Sequence, residues 1–318
     1  MVDIRRHLHF GECIAMASFD FHRRQWLLRL ALTPLLVGAS LAGAAPTSPS
    51  VDARKRFLAK LRALEHEAGG RIGVSARRVA GGPELAYRGG ERFLMCSTFK
   101  LALAACVLQR VDAGDERLDR QVAVAKADLV TYSPRTEPRA GGSMAVGELC
   151  AAAVTVSDNT AANLLLRTLG GPAGFTARLR SAGDAVTRLD RFETKLNVPV
   201  PGHDWDSTTP AAMTDLLERL LFGNVLTPTS RAQLRAWTTQ ASTGMKRLRA
   251  VLPADWPQGD KTGTGPTHTN DVAWFTPPGG APWTVAVYYA EGKGDGEAQN
   301  GVIAEVGRAV LELVQALS

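Results

Sequence analysis

The chain has 318 residues, of which 45% are hydrophobic and 21% charged, a composition typical of a soluble globular protein and not of a disordered or fibrous one. Its formal net charge of +6 results from 37 basic and 31 acidic residues that are scattered along the chain. Because the sequence contains no basic stripe of the kind that nucleic-acid binding requires, we predict no nucleic-acid partner.

The first 44 residues predict a cleaved export signal. Arg23 and Arg24 precede an apolar stretch that ends in small residues and a Pro/Ser-rich segment, "HRRQWLLRLALTPLLVGASLAGAAPTSPS". The arginine pair fits the twin-arginine pattern. A membrane anchor is the alternative, but Arg29 and a proline interrupt the apolar run, so we expect cleavage near Ala44. The prediction is a periplasmic or secreted protein without stable membrane association.

The predicted elements after the leader begin with an amphipathic helix over residues 51–68, where apolar residues recur at helical spacing. A β-hairpin is predicted next, in "RIGVSARRVAGGPELAYRGG", where alternating apolar residues flank a Gly-Gly-Pro turn. Helical patterns then dominate residues 96–240. Two strands, "DVAWFTP" and "WTVAVYYAE", follow, and a last helix is predicted at about residues 299–317.

Strands near both chain ends with helices between them predict the fold class. We expect an α+β or α/β sandwich, in which an antiparallel sheet built from both chain ends is flanked by helices and carries an inserted all-helical lobe. Within a domain of residues 45–318, the α/β lobe is predicted at about residues 51–95 and 241–318, and the helical lobe at about residues 96–240. A cleft is expected between the lobes.

Cysteine and histidine positions argue against a metal site. Of the four cysteines, Cys96, Cys106 and Cys150 follow the predicted leader. Their spacing from one another and from the histidines does not resemble a zinc site, so we predict neither a metal nor another cofactor. An odd number of thiols permits at most one internal disulfide within the chain.

A serine and a lysine three residues apart, Ser97 and Lys100, open the apolar helical stretch "MCSTFKLALAACVLQ". On a helix this spacing places both side chains on one face, close enough to hydrogen-bond. A lysine in apolar surroundings loses proton affinity and can accept a serine proton near neutral pH, so the pair predicts a nucleophile and a base. A capped core helix is the alternative, since about one Ser-x-x-Lys occurs by chance in a chain of this length.

Two further motifs accompany this pair. In "TVSDNTAANLLLRTLGG", a Ser-Asp-Asn run from Ser157 to Asn159 stands at the entry of a second apolar helix. In "GDKTGTGP", Lys261, Thr262 and Gly263 lie at a predicted strand edge, where glycine lets a ligand approach the backbone. A helix cap and a turn are the structural alternatives for the two motifs taken singly.

Together and in this order, the three motifs resemble those of the class A serine β-lactamases, within the penicillin-recognising serine enzymes. The resemblance extends from about Val51 to the C-terminus. In "RFETKLN", Glu193 and Asn197 stand where this family keeps its deacylating carboxylate and the amide that helps to hold its water.

The resemblance implies hydrolysis of the β-lactam amide of penicillins and cephalosporins through a serine acyl-enzyme, which gives antibiotic resistance. Ser97 would be the nucleophile, and its proton would leave to Lys100 or, through a water, to Glu193. The backbone N–H groups of Ser97 and Thr264 would form the oxyanion hole. Ser157 would relay a proton to the departing ring nitrogen, with electrostatic support from Lys261 in the same site.

The resemblance also implies a set of substrate-binding residues around the predicted cleft. Some of them would hold the substrate carboxylate, others would grip its side-chain amide, and one would line the entrance. The set is Tyr132, Asn159, Arg247, Lys261, Thr262, Gly263 and Thr264.

Two features of the sequence depart from common relatives. No arginine follows the Lys-Thr-Gly motif, and Arg247, in "STGMKRLRAVLP", aligns with an alternative family position from which a guanidinium reaches the substrate carboxylate. Cys150 matches one half of a disulfide found in some relatives, but Ala104 occupies the partner position. We therefore expect free, buried thiols.

The resemblance further implies an ion pair between Arg191 and Asp206 across the neck of the loop that carries Glu193, and a monomeric protein. Two alternative functions share the nucleophile and the lysines: a D,D-peptidase of the penicillin-binding type, and a β-lactam sensor domain that is acylated without turnover. The presence of Glu193 with Asn197 argues against both alternatives, because these residues are expected to hydrolyse the acyl-enzyme.

Overall fold

A computed structural model describes residues 49–82 and 84–317. The predicted leader and its cleavage site near Ala44 lie outside the described residues. The α-helices are α1 (Pro49–Ala68), α2 (Phe99–Asp112), α3 (Val146–Thr155), α4 (Asn159–Thr168), α5 (Gly171–Ser181), α6 (Pro210–Leu221), α7 (Pro228–Thr239) and α8 (Gly296–Leu317). The strands are β1 (Arg71–Arg78), β2 (Glu84–Tyr87), β3 (Phe93–Leu94), β4 (Gln121–Ala123), β5 (Ser143–Ala145), β6 (Ser207–Thr208), β7 (Gln258–Thr264), β8 (His268–Phe275) and β9 (Trp283–Ala290).

The main sheet joins the two ends of the described chain, as the sequence predicts. Its five strands lie in the order β2-β1-β9-β8-β7, and every neighbouring pair is antiparallel. The predicted hairpin is formed by β1 and β2, with Ala76 opposite Leu85, while Pro83 of its turn lies outside the described residues. The junction of the N-terminal and C-terminal strands has Val74 opposite Val287.

Strands β8 and β9 are buried along their whole length, because helices cover both faces of the sheet. On one face, Val285 and Val287 belong to a core cluster with residues of α1 and α8. On the other face, Ala286 and Tyr288 belong to a larger cluster that includes the helices from α2 to α7. This alternation follows from the pleat, which turns successive side chains to opposite faces.

Helix α2 lies at the centre of the helical part. All of its side chains from Phe99 to Leu108 are buried, and the Phe99 ring packs edge-to-face against Phe175 of α5 at 6.0 Å between ring centres. The expectation of free thiols is confirmed, since Cys96, Cys106 and Cys150 are all buried and unpaired. Among the described helices, none is both long and apolar enough to cross a membrane.

The predicted start of the last helix is three residues too late. Helix α8 begins at Gly296 rather than near Gln299. The Asp295 carboxylate accepts a hydrogen bond from the Ala298 N–H at 2.9 Å, and the Asp295 carbonyl accepts one from the Gln299 N–H at 3.0 Å. An acidic cap of this kind starts a helix at the residue that follows it.

The segment between Arg191 and Asp206 contains one short 3₁₀ turn, Lys195–Asn197, and is otherwise irregular. Its two ends meet at the predicted ion pair, which is confirmed: Arg191 Nε lies 2.6 Å from Asp206 Oδ2, and the Asp206 side chain has no exposed surface. Asp206 Oδ1 accepts the Asp190 and Arg191 N–H groups at 2.8 and 2.9 Å. Arg191 Nη2 also donates to the Val198 carbonyl, at 2.7 Å, so one guanidinium holds the segment at its end and in its middle.

Replacing Asp206 by Asn tests how much this pair holds the loop. The amide keeps an oxygen for the two backbone N–H groups but removes the charge beside Arg191, so we expect a loss of about 3 kcal/mol, the lower end of the cost of breaking a buried pair. We also expect lower catalytic turnover. The matched control is Asp119→Asn, which breaks an ion pair of similar length, 3.0 Å to Arg117, whose partners are 76% and 77% exposed. Equal melting temperatures and rates for Asp206→Asn, Asp119→Asn and the wild type would contradict the prediction.

Candidate active site

Ser97 lies in a 3₁₀ turn, Cys96–Thr98, that joins β3 to α2. Cys96 in this turn has a φ of 46°, in the left-handed region that non-glycine residues rarely adopt. The Met95 carbonyl accepts hydrogen bonds from the Thr98 N–H at 3.2 Å and from its hydroxyl at 2.9 Å. These contacts place the Ser97 side chain, which is 8% exposed, at the wall of a pocket.

Lys100 lies in the first turn of α2, and its side chain has no exposed surface. The ammonium donates to the Ser157 carbonyl at 2.9 Å and to Asn159 Oδ1 at 2.5 Å, and it lies 3.0 Å from Glu193 Oε1. Burial lowers the pKa of Lys100, while the Glu193 carboxylate acts in the opposite direction. The only charge among the buried side chains of α2 is therefore held by three oxygen atoms from two other segments.

The spacing predicts that the side chains of Ser97 and Lys100 lie close together, and both contact the same carboxylate oxygen. Ser97 belongs to the 3₁₀ turn that leads directly into α2, and no hydrogen bond in the described chain joins Ser97 Oγ to Lys100 Nζ. They are instead connected through Glu193: Ser97 Oγ donates to Glu193 Oε1 at 3.2 Å, the same oxygen that pairs with Lys100.

Glu193 faces this interior and not the solvent, since its side chain has no exposed surface. Its second carboxylate oxygen accepts a hydrogen bond from Asn197 Nδ2 at 2.6 Å. Its backbone is fixed by Asn163 of α4, whose amide accepts the Glu193 N–H at 2.9 Å and donates to the Glu193 carbonyl at 3.0 Å. Asn163 was not among the predicted residues, although it follows Asn159 by four residues, the spacing that places both on one face of an apolar helix.

The Ser-Asp-Asn run brings the side chains of Ser157 and Asn159 to the site at the start of α4. Asp158 caps the helix by accepting the Ala161 N–H at 2.8 Å, so its alternative reading as a helix cap is also correct. Asn159 Oδ1 accepts a hydrogen bond from Lys100, and Asn159 Nδ2 donates one to the Thr131 carbonyl at 2.8 Å. Because an amide nitrogen has two donor hydrogens, one hydrogen of Asn159 Nδ2 is left for a ligand.

Lys261 of β7 lies next to Ser157 and is also completely buried. Its ammonium donates to Ser157 Oγ at 3.0 Å and to the Thr262 carbonyl at 2.7 Å. Burial, followed by the nearby Lys100 ammonium, lowers the pKa of Lys261 to about 7. Two lysines with lowered pKa values thus contact Ser157, Lys100 at its carbonyl and Lys261 at its hydroxyl.

A cavity of about 550 Å³ opens above these groups. Lys100, Glu193 and Lys261 lie buried behind its wall, and Tyr132, 57% exposed with a φ of 64°, lies at its rim. The lining residues, most of which are polar, are Ser97, Tyr132, Ser157, Asn159, Asn197, Ser242, Thr243, Arg247, Thr262 and Thr264. Ser242 and Thr243 were not predicted, although they belong to the same "STGMKR" segment as Arg247.

Arg247 is not a surface arginine, since it is 7% exposed and makes four hydrogen bonds. One nitrogen donates to the Thr264 hydroxyl at 2.7 Å, at the end of the pocket where Thr262 donates to Thr243 Oγ1 at 2.6 Å. Gly263 lies between the two threonines, and a Cβ there would come within 2.5 Å of the Met95 carbonyl oxygen. Hydroxyls and a guanidinium therefore converge in a geometry suited to a carboxylate.

Comparisons with known proteins agree with this geometry. The sequence profile of the β-lactamase enzyme family matches residues 56–314. The chain is 45% identical over 269 residues to the β-lactamase AST-1 of Nocardia asteroides, covering 84% of this chain and 86% of that protein.

Solved structures of class A β-lactamases share the fold. A reconstructed ancestral class A β-lactamase is 58% identical, with a TM-score of 0.79, over 80% of this chain and 99% of the ancestral one. A β-lactamase from Xanthomonas campestris pv. campestris is 44% identical, with a TM-score of 0.81, over 82% of this chain and 98% of that one. The family match, the sequence identity and the arrangement around Ser97 lead to one conclusion: the chain belongs to the β-lactamase enzyme family, class A.

Proposed function

We infer that this protein hydrolyses the amide bond of β-lactam antibiotics through an acyl-enzyme on Ser97, and so confers resistance to them. The observation that carries this assignment is the contact of one buried carboxylate oxygen, Glu193 Oε1, with both Ser97 Oγ at 3.2 Å and Lys100 Nζ at 3.0 Å. A nucleophile, a candidate base and a second candidate base therefore meet at a single point next to an open pocket.

Acylation begins with removal of the Ser97 proton. Lys100 is suited to accept it because burial lowers the pKa of its ammonium, and Glu193 is suited because its Oε1 already accepts the Ser97 hydrogen bond. The N–H groups of Ser97 and Thr264 stabilise the oxyanion that develops on the carbonyl. Ser157, which accepts a hydrogen bond from Lys261, then passes its proton to the departing ring nitrogen and takes a replacement proton from the Lys261 ammonium.

The carboxylate of the substrate binds at the end of the pocket formed by Lys261, Thr262, Thr264 and Arg247. Arg247 stabilises this end in two ways, because its guanidinium adds positive charge and also orients the Thr264 hydroxyl. At the other end, Asn159 uses its remaining amide hydrogen for the side-chain amide of the substrate. Tyr132 covers the entrance with an exposed ring.

Deacylation depends on Glu193 and Asn197. In the acyl-enzyme the Ser97 oxygen is esterified and no longer donates to Glu193, so the carboxylate is free to activate a water for attack on the ester. The Asn197 amide holds the other carboxylate oxygen at 2.6 Å and keeps it directed at the ester. These two residues favour a turnover enzyme over a D,D-peptidase or a β-lactam sensor.

The cellular setting of the enzyme is also part of the proposal. We propose export by the twin-arginine pattern, removal of residues 1–44, and action of residues 45–318 as a monomer in the periplasm or outside the cell. Hydrolysis there would destroy the antibiotic before it reaches its targets. Amino-terminal sequencing of the secreted protein, together with its mass in solution, tests this setting.

Turnover of a chromogenic cephalosporin tests the function. We expect the purified wild-type enzyme to hydrolyse many equivalents of substrate, and Ser97→Ala to lose about 10⁶-fold in kcat, as other serine hydrolases do without the nucleophile. The control is Ser242→Ala, since Ser242 lines the same pocket without contacting Glu193 or Lys100. A single stoichiometric burst from the wild type, or turnover retained by Ser97→Ala, would refute the assignment.

The two cations at the carboxylate end predict different pH dependences. Lys261 is charged below its pKa of about 7 and neutral above it, so kcat/KM for an anionic penicillin falls as the pH rises through that value. Lys261→Arg moves this limb out of the neutral range, because a guanidinium keeps its charge up to about pH 12. Arg247→Ala raises KM at every pH and also shifts the limb to higher pH, because the Arg247 charge contributes to the lowered pKa of Lys261. A limb that Lys261→Arg does not move, or a KM that Arg247→Ala does not raise, contradicts the corresponding assignment.

A further inference from the structure

A buried amide on β8, Asn270, contacts the backbone that leads into the nucleophile. The Asn270 side chain has no exposed surface, and its Nδ2 donates to the Leu94 carbonyl at 2.9 Å and to the Met95 carbonyl at 3.1 Å. We propose that Asn270 is a positioning residue. It keeps the Ser97 turn at a constant position relative to β7, the strand that carries the second oxyanion donor, Thr264. This inference rests on the proposed function of Ser97 and Thr264.

The strand register explains why an asparagine lies at this point. Asn270 is directly opposite Gly263 of β7, and residues paired in this way project their side chains to the same face of the sheet. Gly263 has no side chain to fill that face, and a Cβ there would come within 2.5 Å of the Met95 carbonyl oxygen and 3.2 Å of Cys96 Cβ. The turn therefore packs against this pair. Gly263 leaves space for the Met95 carbonyl, and Asn270 donates hydrogen bonds to the Leu94 and Met95 carbonyls.

The Met95 carbonyl is the point where the turn is held. It accepts two hydrogen bonds from Thr98, which close the turn on itself, and one from Asn270, which ties the turn to the sheet. A second tie to the sheet, between the Thr98 and Tyr288 hydroxyls, is longer at 3.3 Å. Since Cys96 holds a left-handed φ of 46°, the turn needs external contacts to keep this conformation.

The same residue also holds the cation at the far end of the pocket. The Asn270 backbone carbonyl accepts a hydrogen bond from Arg247 Nη1 at 2.6 Å. The nucleophile turn and the carboxylate-binding guanidinium are therefore fixed to one residue of β8, whose cross-strand partner is next to Thr264. A substrate whose carboxylate binds Arg247 therefore has its reacting carbonyl held at a fixed distance from Ser97.

Two oxyanion donors on separate segments work only if their separation is constant. The Ser97 N–H belongs to the turn and the Thr264 N–H to β7, so a shift of the turn against the sheet moves one donor without the other. A displacement of about 1 Å costs on the order of 10²-fold in rate. Asn270 thus acts on the chemistry through Ser97 and does not itself touch the substrate.

The test uses Asn270→Leu, which keeps the approximate volume and removes both donated hydrogen bonds. We expect a loss of about 10- to 100-fold in kcat/KM, most of it in kcat, below the ~10²- to 10³-fold cost of losing an oxyanion donor outright. Affinity for a boronic acid that forms a tetrahedral adduct on Ser97 is expected to fall by a similar factor. The control is Thr284→Val, which removes a buried hydroxyl bonded to the Thr214 carbonyl at 3.1 Å outside the pocket, and changes stability without changing these constants.

A folded Asn270→Leu with kcat and boronic acid affinity within about twofold of the wild type overturns the proposal. If Asn270→Leu does not fold, Asn270→Asp decides: its carboxyl donates when protonated and repels the two carbonyls when charged. We then expect its activity relative to the wild type to recover as the pH falls, and a flat ratio overturns the proposal. The boronic acid needs the nucleophile and the oxyanion donors but no deacylation, so it reports on Asn270 even if the wild type shows no turnover.

Discussion

A buried ion pair between Lys100 and Glu193 is the interaction on which the site depends. The two charged groups lie 3.0 Å apart without exposed surface, one at the start of the central helix α2 and the other on an irregular loop. Removing two charges from water costs free energy. The attraction between the charges offsets this cost only when further hydrogen bonds to the charged groups complete the geometry. Asn159 and the Ser157 carbonyl supply those bonds to the ammonium, and Asn197 and Ser97 supply them to the carboxylate.

The Glu193 carboxylate lies on an irregular loop, so no regular helix or strand fixes its position. Side-chain contacts fix it instead. The loop is closed at its neck by Arg191 and Asp206, and Glu193 is fixed to α4 by the two hydrogen bonds with Asn163. On the opposite side of the pocket, Asn270 connects the sheet to the Ser97 turn. Side-chain amides thus connect segments of the site that backbone hydrogen bonds between strands do not connect.

Much of this arrangement could be predicted from the sequence. The apolar, β-rich segments before and after the long helical region indicated one sheet from both chain ends, and three ordered motifs with Glu193 indicated the site. Contacts between distant segments were harder to predict, because they depend on packing that no local pattern encodes. Asn270 is a single buried amide without a motif, and Ser97 and Lys100 are joined through Glu193, which lies 96 residues from Ser97.

We propose that Glu193 directs water onto the Ser97 ester, so that the antibiotic is released in hydrolysed form. The most direct measurement follows the intact mass of the enzyme over time after mixing with a penicillin, for the wild type and Glu193→Gln. We expect a transient or undetectable adduct for the wild type and a long-lived adduct of one drug molecule on Ser97 for Glu193→Gln. A Glu193→Gln enzyme that clears its adduct as fast as the wild type would rule out this role of Glu193.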